Sequence, residues 1–312
     1  MKILAYVPNY IPHYNSGDTT TLHFILKLFP EAERTVMLNR KIDEYEIDGI
    51  KVISRCSSIF NQFDVVFCQL DTTRETIQLT SKPIIWFMHN TFPYGSVLSN
   101  THVGVVYNAE WAVKERNFPN NPSFVLPPLV FPEDYKVEKG SKVTIVNLNR
   151  NKVGNFWQVA KGMPDVEFLA VKGAYSEQIT EDLPNVEIWE HQSDIREVFK
   201  RTKILLVPSG YESWGRVATE AICSGIPVIA HPTPGLLENL SESGIFVDRN
   251  NTEGWVKEIR TLQGKKEYDL ASEKAEKRSI ELHPAKKVGE FKEWVKEFIY
   301  NHKNRKSEVI HR

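Results

Sequence analysis

VPSGYESWGRVATEAICSGIPVIA, residues 207–230, joins two apolar runs through a loop and an amphipathic stretch. The first run, KILLVPS (203–209), is short and apolar throughout, as expected of a strand buried on both faces of a parallel sheet. It meets a loop containing Gly210 and then a helix whose first turn lies near Trp214–Arg216. Gly225 stands where a left-handed residue would stop that helix, and IPVIAHP begins the next strand. A strand, a helix and a further buried strand make one α/β unit.

The same alternation extends in both directions. KILAYVP, FDVVFCQL, PIIWFMH, VGVVYN and SFVLPP occupy the first 130 residues or so, and VTIVNL, VEFLAVKG, VEIWEH, KILLVPS, IPVIAHP and GIFVD follow. Between them, TTLHFILKLFP, AEWAVKERN, NFWQVAKGM, SDIREVFKRT, GRVATEAICSG and EGWVKEIRTLQ have helical spacing, with Ser193 or Asp194 as an N-cap. The polar run FPEDYKVEKGSK (131–142) follows Leu126-Pro127-Pro128 and precedes a fresh strand, so it reads as an interdomain linker. From about Pro284, Val288, Phe291, Val295 and Phe298 recur at helical spacing and predict a long amphipathic helix. The expected organisation is an N-terminal domain over 1–136, a second domain over 137–284 and a terminal helix over 285–312, with ligand bound in a cleft between two parallel sheets.

Composition narrows the function classes. Of 312 residues, 41% are hydrophobic and 25% charged, which excludes a fibrous or largely disordered chain. Lys and Arg total 39 against 40 Asp and Glu, so no global field draws in nucleic acid or anionic membrane. No apolar run approaches the ~20 residues needed to span a bilayer, and the opening MKILAYVPNY reads as a strand rather than a signal peptide. Cys56, Cys68 and Cys223 lie in apolar surroundings without CxxC spacing, which suits a reducing compartment. The expected location is cytoplasmic, with peripheral contact at the inner membrane face as a variant that the basic tail suggests.

The chemistry concentrates after strand 203–209. A loop running into a helix aims free N–H groups at the C-terminal edge of the sheet, which suits a phosphate. Glu212 in the loop and Glu220 two turns into the helix can reach one crevice, and a carboxylate accepts well from vicinal hydroxyls. Carboxylates flanking a phosphate site suggest a nucleotide sugar; the alternative is a pair of ordinary exposed helix-end carboxylates. Asp-x-Asp, HExxH, GxGxxG after a strand, GxxxxGK[ST] and GxSxG do not occur.

Glu212, Trp214, Gly215, Glu220, Ala221, Gly225, Pro227 and Val228 together resemble the Glu-x7-Glu signature of the retaining GT-B glycosyltransferases of group 1 (family 4). The following PGLLENL resembles that family's G-G-x-x-E loop through Gly235 and Glu238, with Pro234 where the first Gly is usual. The resemblance implies a GT-B fold: two Rossmann-like domains, acceptor on the N-terminal one, donor on the C-terminal one, and a last helix crossing back. It implies that Glu212 contacts the donor sugar and acts in catalysis with His89, which ends strand PIIWFMH. It implies that Glu220 holds the ribose, and that Gly17, Arg150, Lys152, Ser213, Trp214, Gly215 and Arg216 bind donor sugar and phosphate. Lys152-Val153-Gly154 resembles the family's Lys-Gly; Arg150 lies nearer Lys152 than the family's Arg does. His13, Asp18 and Thr19, in the segment matching the family's glycine-rich loop, are further candidates, though a single glycine stands where a pair is common. The backbone near Val171–Ala174 and Glu187–His191 would meet the base. No metal or other cofactor is implied; the co-substrate is a UDP- or GDP-sugar. The implied acceptor is a hydroxyl of a glycan or a lipid-linked sugar in cell-surface assembly. A modified DNA base as acceptor, a nucleotide-sugar epimerase or hydrolase, and a non-catalytic nucleotide-sugar binder remain open as alternatives.

Overall fold

The computed structural model describes residues 1–14, 16–70, 72–91 and 102–310, the last six of these as backbone alone. The chain divides into two compact units, Met1–Leu129 with the chain from Ala285, and Val130–Pro284.

The first unit is built on an eight-stranded sheet of β1 (Lys2–Val7), β2 (Glu33–Leu38), β3 (Tyr45–Ile47), β4 (Ile50–Ile53), β5 (Val65–Gln69), β6 (Ile84–Met88), β7 (Val103–Tyr107) and β8 (Ser123–Val125). The order is β3-β4-β2-β1-β5-β6-β7-β8, parallel except for the β3/β4 hairpin. Every residue of β5, β6 and β7 is buried, which is why those segments carry no polar alternation. Helices α1 (Gly17–Lys27), α2 (Thr72–Leu79) and α3 (Glu110–Glu115) connect the strands.

The second unit is a six-stranded parallel sheet of β9 (Lys142–Val146), β10 (Phe168–Val171), β11 (Val186–Trp189), β12 (Thr202–Val207), β13 (Val228–Ala230) and β14 (Ile245–Phe246), ordered β11-β10-β9-β12-β13-β14. The chain steps outward from β9 to β11, then returns to lay β12 beside β9. The sheet order therefore reverses between β9 and β12, and loops leaving their C-terminal ends diverge to leave a crevice. Helices α4 (Pro132–Tyr135), α5 (Phe156–Lys161), α6 (Ile195–Phe199), α7 (Arg216–Ile222), α8 (Pro234–Leu240), α9 (Thr252–Thr261) and α10 (Lys265–Glu281) complete this unit. Asp194 is the N-cap of α6, its carboxylate accepting from Arg196 N at 3.0 Å.

From Ala285 the chain forms α11 (Ala285–Ile310), whose apolar stripe packs on the first unit. Phe291 lies 6.3, 6.2 and 5.6 Å from the rings of Phe29, Phe87 and Phe124, and Phe291, Val295 and Phe298 are buried.

Two expectations need correction. The boundary expected at 136/137 falls at Leu129/Val130. The polar run is held within the second unit: Ser224 Oγ donates to Tyr135 O at 3.1 Å and accepts from Val137 N at 2.9 Å. PGLLENL, read as a loop, is helix α8, opened by Thr233, whose side chain accepts from Leu236 N at 3.3 Å. Among the described residues no helix is long and apolar enough to cross a membrane.

Candidate functional site

The reversal point of the second sheet brings two loops together. In the loop after β9, the Asn149 side-chain oxygen accepts from Asn151 N at 3.1 Å and Lys152 N at 3.2 Å, an Asx turn that fixes the backbone carrying Lys152. In the loop after β12, Gly210 N donates to Asn151 O at 2.9 Å, stitching one loop to the other. Across that stitch Lys152 Nζ pairs with the Glu212 carboxylate and reaches Tyr211 O at 3.4 Å. Both side chains of the pair are largely buried, at 20% and 16% exposure, so water screens their attraction weakly.

The Trp214-Gly215 step turns the second loop into α7. Gly215 has φ 86°, and a Cβ there would lie 2.5 Å from the Leu236 side chain on α8. That left-handed turn excludes larger residues. The indole of Trp214 is buried and donates to Thr219 Oγ1 at 3.0 Å. Thr219 donates in turn to Asn239 Oδ1 at 3.1 Å. Asn239 Nδ2 returns to the loop, donating to Trp214 O at 3.0 Å and Gly215 O at 3.1 Å. The side chain of Trp214, expected at the donor sugar and phosphate, is thus committed to holding the loop that carries Glu212.

Glu220 sits one turn into α7, 7% exposed. Arg216 Nε donates to its carboxylate at 2.6 Å, and Arg216 Nη2 donates to the Tyr135 hydroxyl at 2.7 Å. Burial pushes the Glu220 carboxyl above its ordinary value, with the guanidinium and Tyr135 pulling the other way. Arg216, expected to bind donor sugar and phosphate, pairs in the ligand-free chain with Glu220 and Tyr135. Helix α7 is only seven residues long, so its end charge is modest. Ser213 is half-buried in the loop after β12, whereas Arg150, in the loop after β9, is exposed and its side chain makes no hydrogen bond or ion pair among the described residues.

The remaining expected residues belong to the first unit. His89 follows β6, and its Nε2 lies 2.7 Å from Gln69 Oε1 at the end of β5. Its own carbonyl accepts weakly from Asn108 Nδ2 at 3.4 Å. Burial holds the imidazole below its ordinary value, against the opposing pull of Asp18. His89 shares a small pocket with Thr21, Ile25, Asn108, Leu126 and Pro128. Gly17 opens α1 and is exposed, and a Cβ there would touch nothing within 4 Å. Thr19 closes the capping box of α1 with Ser16, Asp18 bonds the Ser16 hydroxyl, and His13 sits edge-on to Tyr45 at 5.2 Å. The sequence reading missed Tyr135, Asn239 and Gln69. Tyr135 lay inside the polar run and Asn239 inside PGLLENL; only knowledge of which segments fold back onto α7 could have singled them out.

Residues 161–278 match the family of group 1 glycosyl transferases. The D-inositol 3-phosphate glycosyltransferase of Segniliparus rotundus is 37% identical over 82 residues, 25% of this chain and 18% of the relative. That of Corynebacterium glutamicum is 39% identical over 72 residues, 22% of this chain and 17% of the relative. The chain thus matches less than a fifth of the length of these curated relatives. Sucrose-phosphate synthase from Thermosynechococcus elongatus superposes with a TM-score of 0.74 at 12% identity, covering 96% of this chain and 100% of the other. HepE of Anabaena, solved with UDP and glucose, gives 0.68 at 13% identity, covering 99% of each chain. These likenesses define the fold, a GT-B arrangement of two parallel-sheet α/β units. The segment that matches the group 1 family model, 161–278, lies within its second unit.

Proposed function

We propose that this protein is a retaining glycosyltransferase that moves a sugar from a nucleotide diphosphate donor to an acceptor hydroxyl. The observation that carries the reading is the Lys152–Glu212 and Arg216–Glu220 pairing at the point where the second sheet reverses. Glu212 and Glu220 both lie in the segment that matches the group 1 family. In this reading the diphosphate engages Lys152, which releases Glu212 to accept from donor-sugar hydroxyls. Glu220, held in place by Arg216, accepts from the ribose. The bond from the anomeric carbon to the phosphate oxygen breaks, and Lys152 stabilises the charge that the leaving diphosphate gains. The acceptor oxygen bonds to that carbon from the same face, and its proton passes to a phosphate oxygen of the leaving group. No metal enters this scheme. The first unit serves the acceptor, with His89 facing its small pocket. The proposed setting is cytoplasmic assembly of a cell-surface glycan or glycolipid.

HepE has been solved with UDP and with UDP-glucose, which puts uridine donors first for testing and guanosine donors next. The test is thermal stabilisation by a panel of nucleotide diphosphates and their sugars, on the wild type and on Glu220→Gln. One donor raising the melting temperature, with the shift lost in Glu220→Gln, supports the site. An acceptor screen with that donor then reads sugar transfer. Absence of any shift at millimolar nucleotide sugar would sink the donor reading.

A further inference from the structure

We infer that Arg249 is the second cation of the donor site, binding the diphosphate beside Lys152; this rests on the glycosyltransferase reading above. The residue follows β14, in a turn whose backbone is fixed from several directions. Arg249 N donates to His231 Nδ1 at 3.1 Å, Asn250 N to Asp248 Oδ1 at 2.9 Å, and the Trp255 indole to Asp248 O at 2.9 Å. From this anchored turn the half-buried side chain lies against the loop after β12. A Cβ on Gly210 would fall 2.0 Å from Arg249 Nη1, so the glycine leaves the space that the guanidinium occupies.

That contact places Arg249 at the loop junction already described. Gly210 N bonds Asn151 O, the residue before Lys152, and Lys152 Nζ reaches Tyr211 O, the residue after Gly210. The guanidinium and the ammonium therefore lie against two consecutive residues of one loop.

Charge accounting then separates Arg249 from its neighbours. Lys152 is matched by Glu212, and Arg216 by Glu220, so these four side chains sum to zero. Among the described residues the Arg249 guanidinium has no hydrogen-bond or ion-pair partner, and the neighbouring Asp248 carboxylate lies toward His231 at 3.9 Å. A partly buried guanidinium with its donors unspent suits phosphate oxygens, which it can grip two at a time. It supplies the positive charge that the two ion pairs do not. The sequence reading assigned this part to Arg150, which lies in the loop after β9 with its side chain exposed and, among the described residues, without a hydrogen bond or ion pair.

Calorimetric titration of the full chain with inorganic pyrophosphate and with UDP tests the assignment, on the wild type, Arg249→Gln, Arg249→Lys and Lys152→Gln. Loss of a charged hydrogen bond should weaken both ligands roughly tenfold or more in Arg249→Gln, with partial recovery in Arg249→Lys. The melting temperature of the unliganded Arg249→Gln should match wild type, since no internal bond is lost. Gly210→Ala, which pushes the guanidinium aside without removing it, should weaken pyrophosphate as well and serves if Arg249→Gln folds poorly. Wild-type affinity in both Arg249→Gln and Gly210→Ala, with binding lost in Lys152→Gln, overturns the role of Arg249 alone. A wild type that binds neither ligand overturns the donor-site reading itself.

Discussion

Asn239→Ala is the sharpest test of how the Trp214-Gly215 turn is held. Asn239 is fully buried and serves three groups at once: the carbonyls of Trp214 and Gly215 and the hydroxyl of Thr219. Truncation removes one donor group and one acceptor. The Trp214 carbonyl is orphaned in a dry interior, while the Gly215 carbonyl keeps Ala218 N at 2.9 Å and the Thr219 hydroxyl keeps the Trp214 indole at 3.0 Å, each losing one bond. The orphaned carbonyl costs about 1–3 kcal/mol and each of the two further lost bonds about 1 kcal/mol. Water admitted to the space vacated by the amide recovers part of this, so the expected loss is about 3 kcal/mol. That is a large fraction of the ~5–15 kcal/mol that stabilises a typical domain. The assay is urea unfolding followed by tryptophan fluorescence, with the midpoint shifting and the slope unchanged. Asn239→Asp sharpens the test. Its carboxylate still accepts from Thr219 but faces two carbonyl oxygens, so burial and repulsion favour the protonated acid and raise its value in the folded chain. Stability should then be greatest in acid and decline as pH rises through that raised value. A loss below about 1 kcal/mol in Asn239→Ala, or a pH-independent Asn239→Asp, would refute the reasoning.

Three other outcomes are expected. Gly215→Ala combines a left-handed φ of 86° with a contact of 2.5 Å to Leu236; strain and overpacking together cost about 2–4 kcal/mol, read from the shift in urea midpoint. Phe291→Ala empties a fully buried site between α11 and the first sheet, costs about 3–5 kcal/mol, and opens the helix to limited proteolysis. His89, held below the ordinary 6.5 in the fold by burial against the pull of Asp18, binds its proton more readily when unfolded. Its contribution is therefore complete above 6.5 and is lost as pH falls toward the depressed value; His89→Gln should flatten the stability profile across that acid limb.

Strands buried on both faces announce themselves: VVFCQ, IIWFM and KILLV read as sheet because no polar position interrupts them, and each became a strand. The edges were harder. ERTVML of β2 begins with charged residues, and β3 and β4 are three and four residues long, so neither pattern rises above its surroundings. Helix α10 was missed for the opposite reason. KKEYDLASEKAEKRSIE is charged nearly all round and buries only Ser272, Ala275 and Ser279, so it has small residues where an apolar stripe is usually sought. In the site, the positions of Glu212, Glu220 and Lys152 were legible because strand ends and loops fix where such residues emerge. Their partners were not. Tyr135 reaches Arg216 at the start of α7 from 81 residues away and Asn239 reaches the loop from 25, and single-sequence spacing carries no record of such returns.

The ion pairs have a consequence for ligand binding. Lys152 and Glu212 neutralise one another in the free chain, so neither side chain is available to a ligand until the other is compensated. A neutral sugar alone cannot separate them, because it offers no charge to replace the one lost to Lys152 and breaking a largely buried pair leaves both ions uncompensated. In the proposed reading a diphosphate can: it would take over Lys152 and leave the Glu212 carboxylate facing the donor-sugar hydroxyls. On that reading phosphate and sugar recognition would be coupled through a single contact. The coupling predicts that free glucose or a related sugar binds measurably only when UDP or pyrophosphate is already present. In Lys152→Gln, where Glu212 has no cation to lose, sugar binding should become independent of the diphosphate. Titrating sugar with and without saturating UDP, in the wild type and in this variant, measures the coupling as a ratio of affinities. A ratio near one in the wild type would mean that Glu212 is reached by the sugar without displacing Lys152, and the coupled scheme would fail.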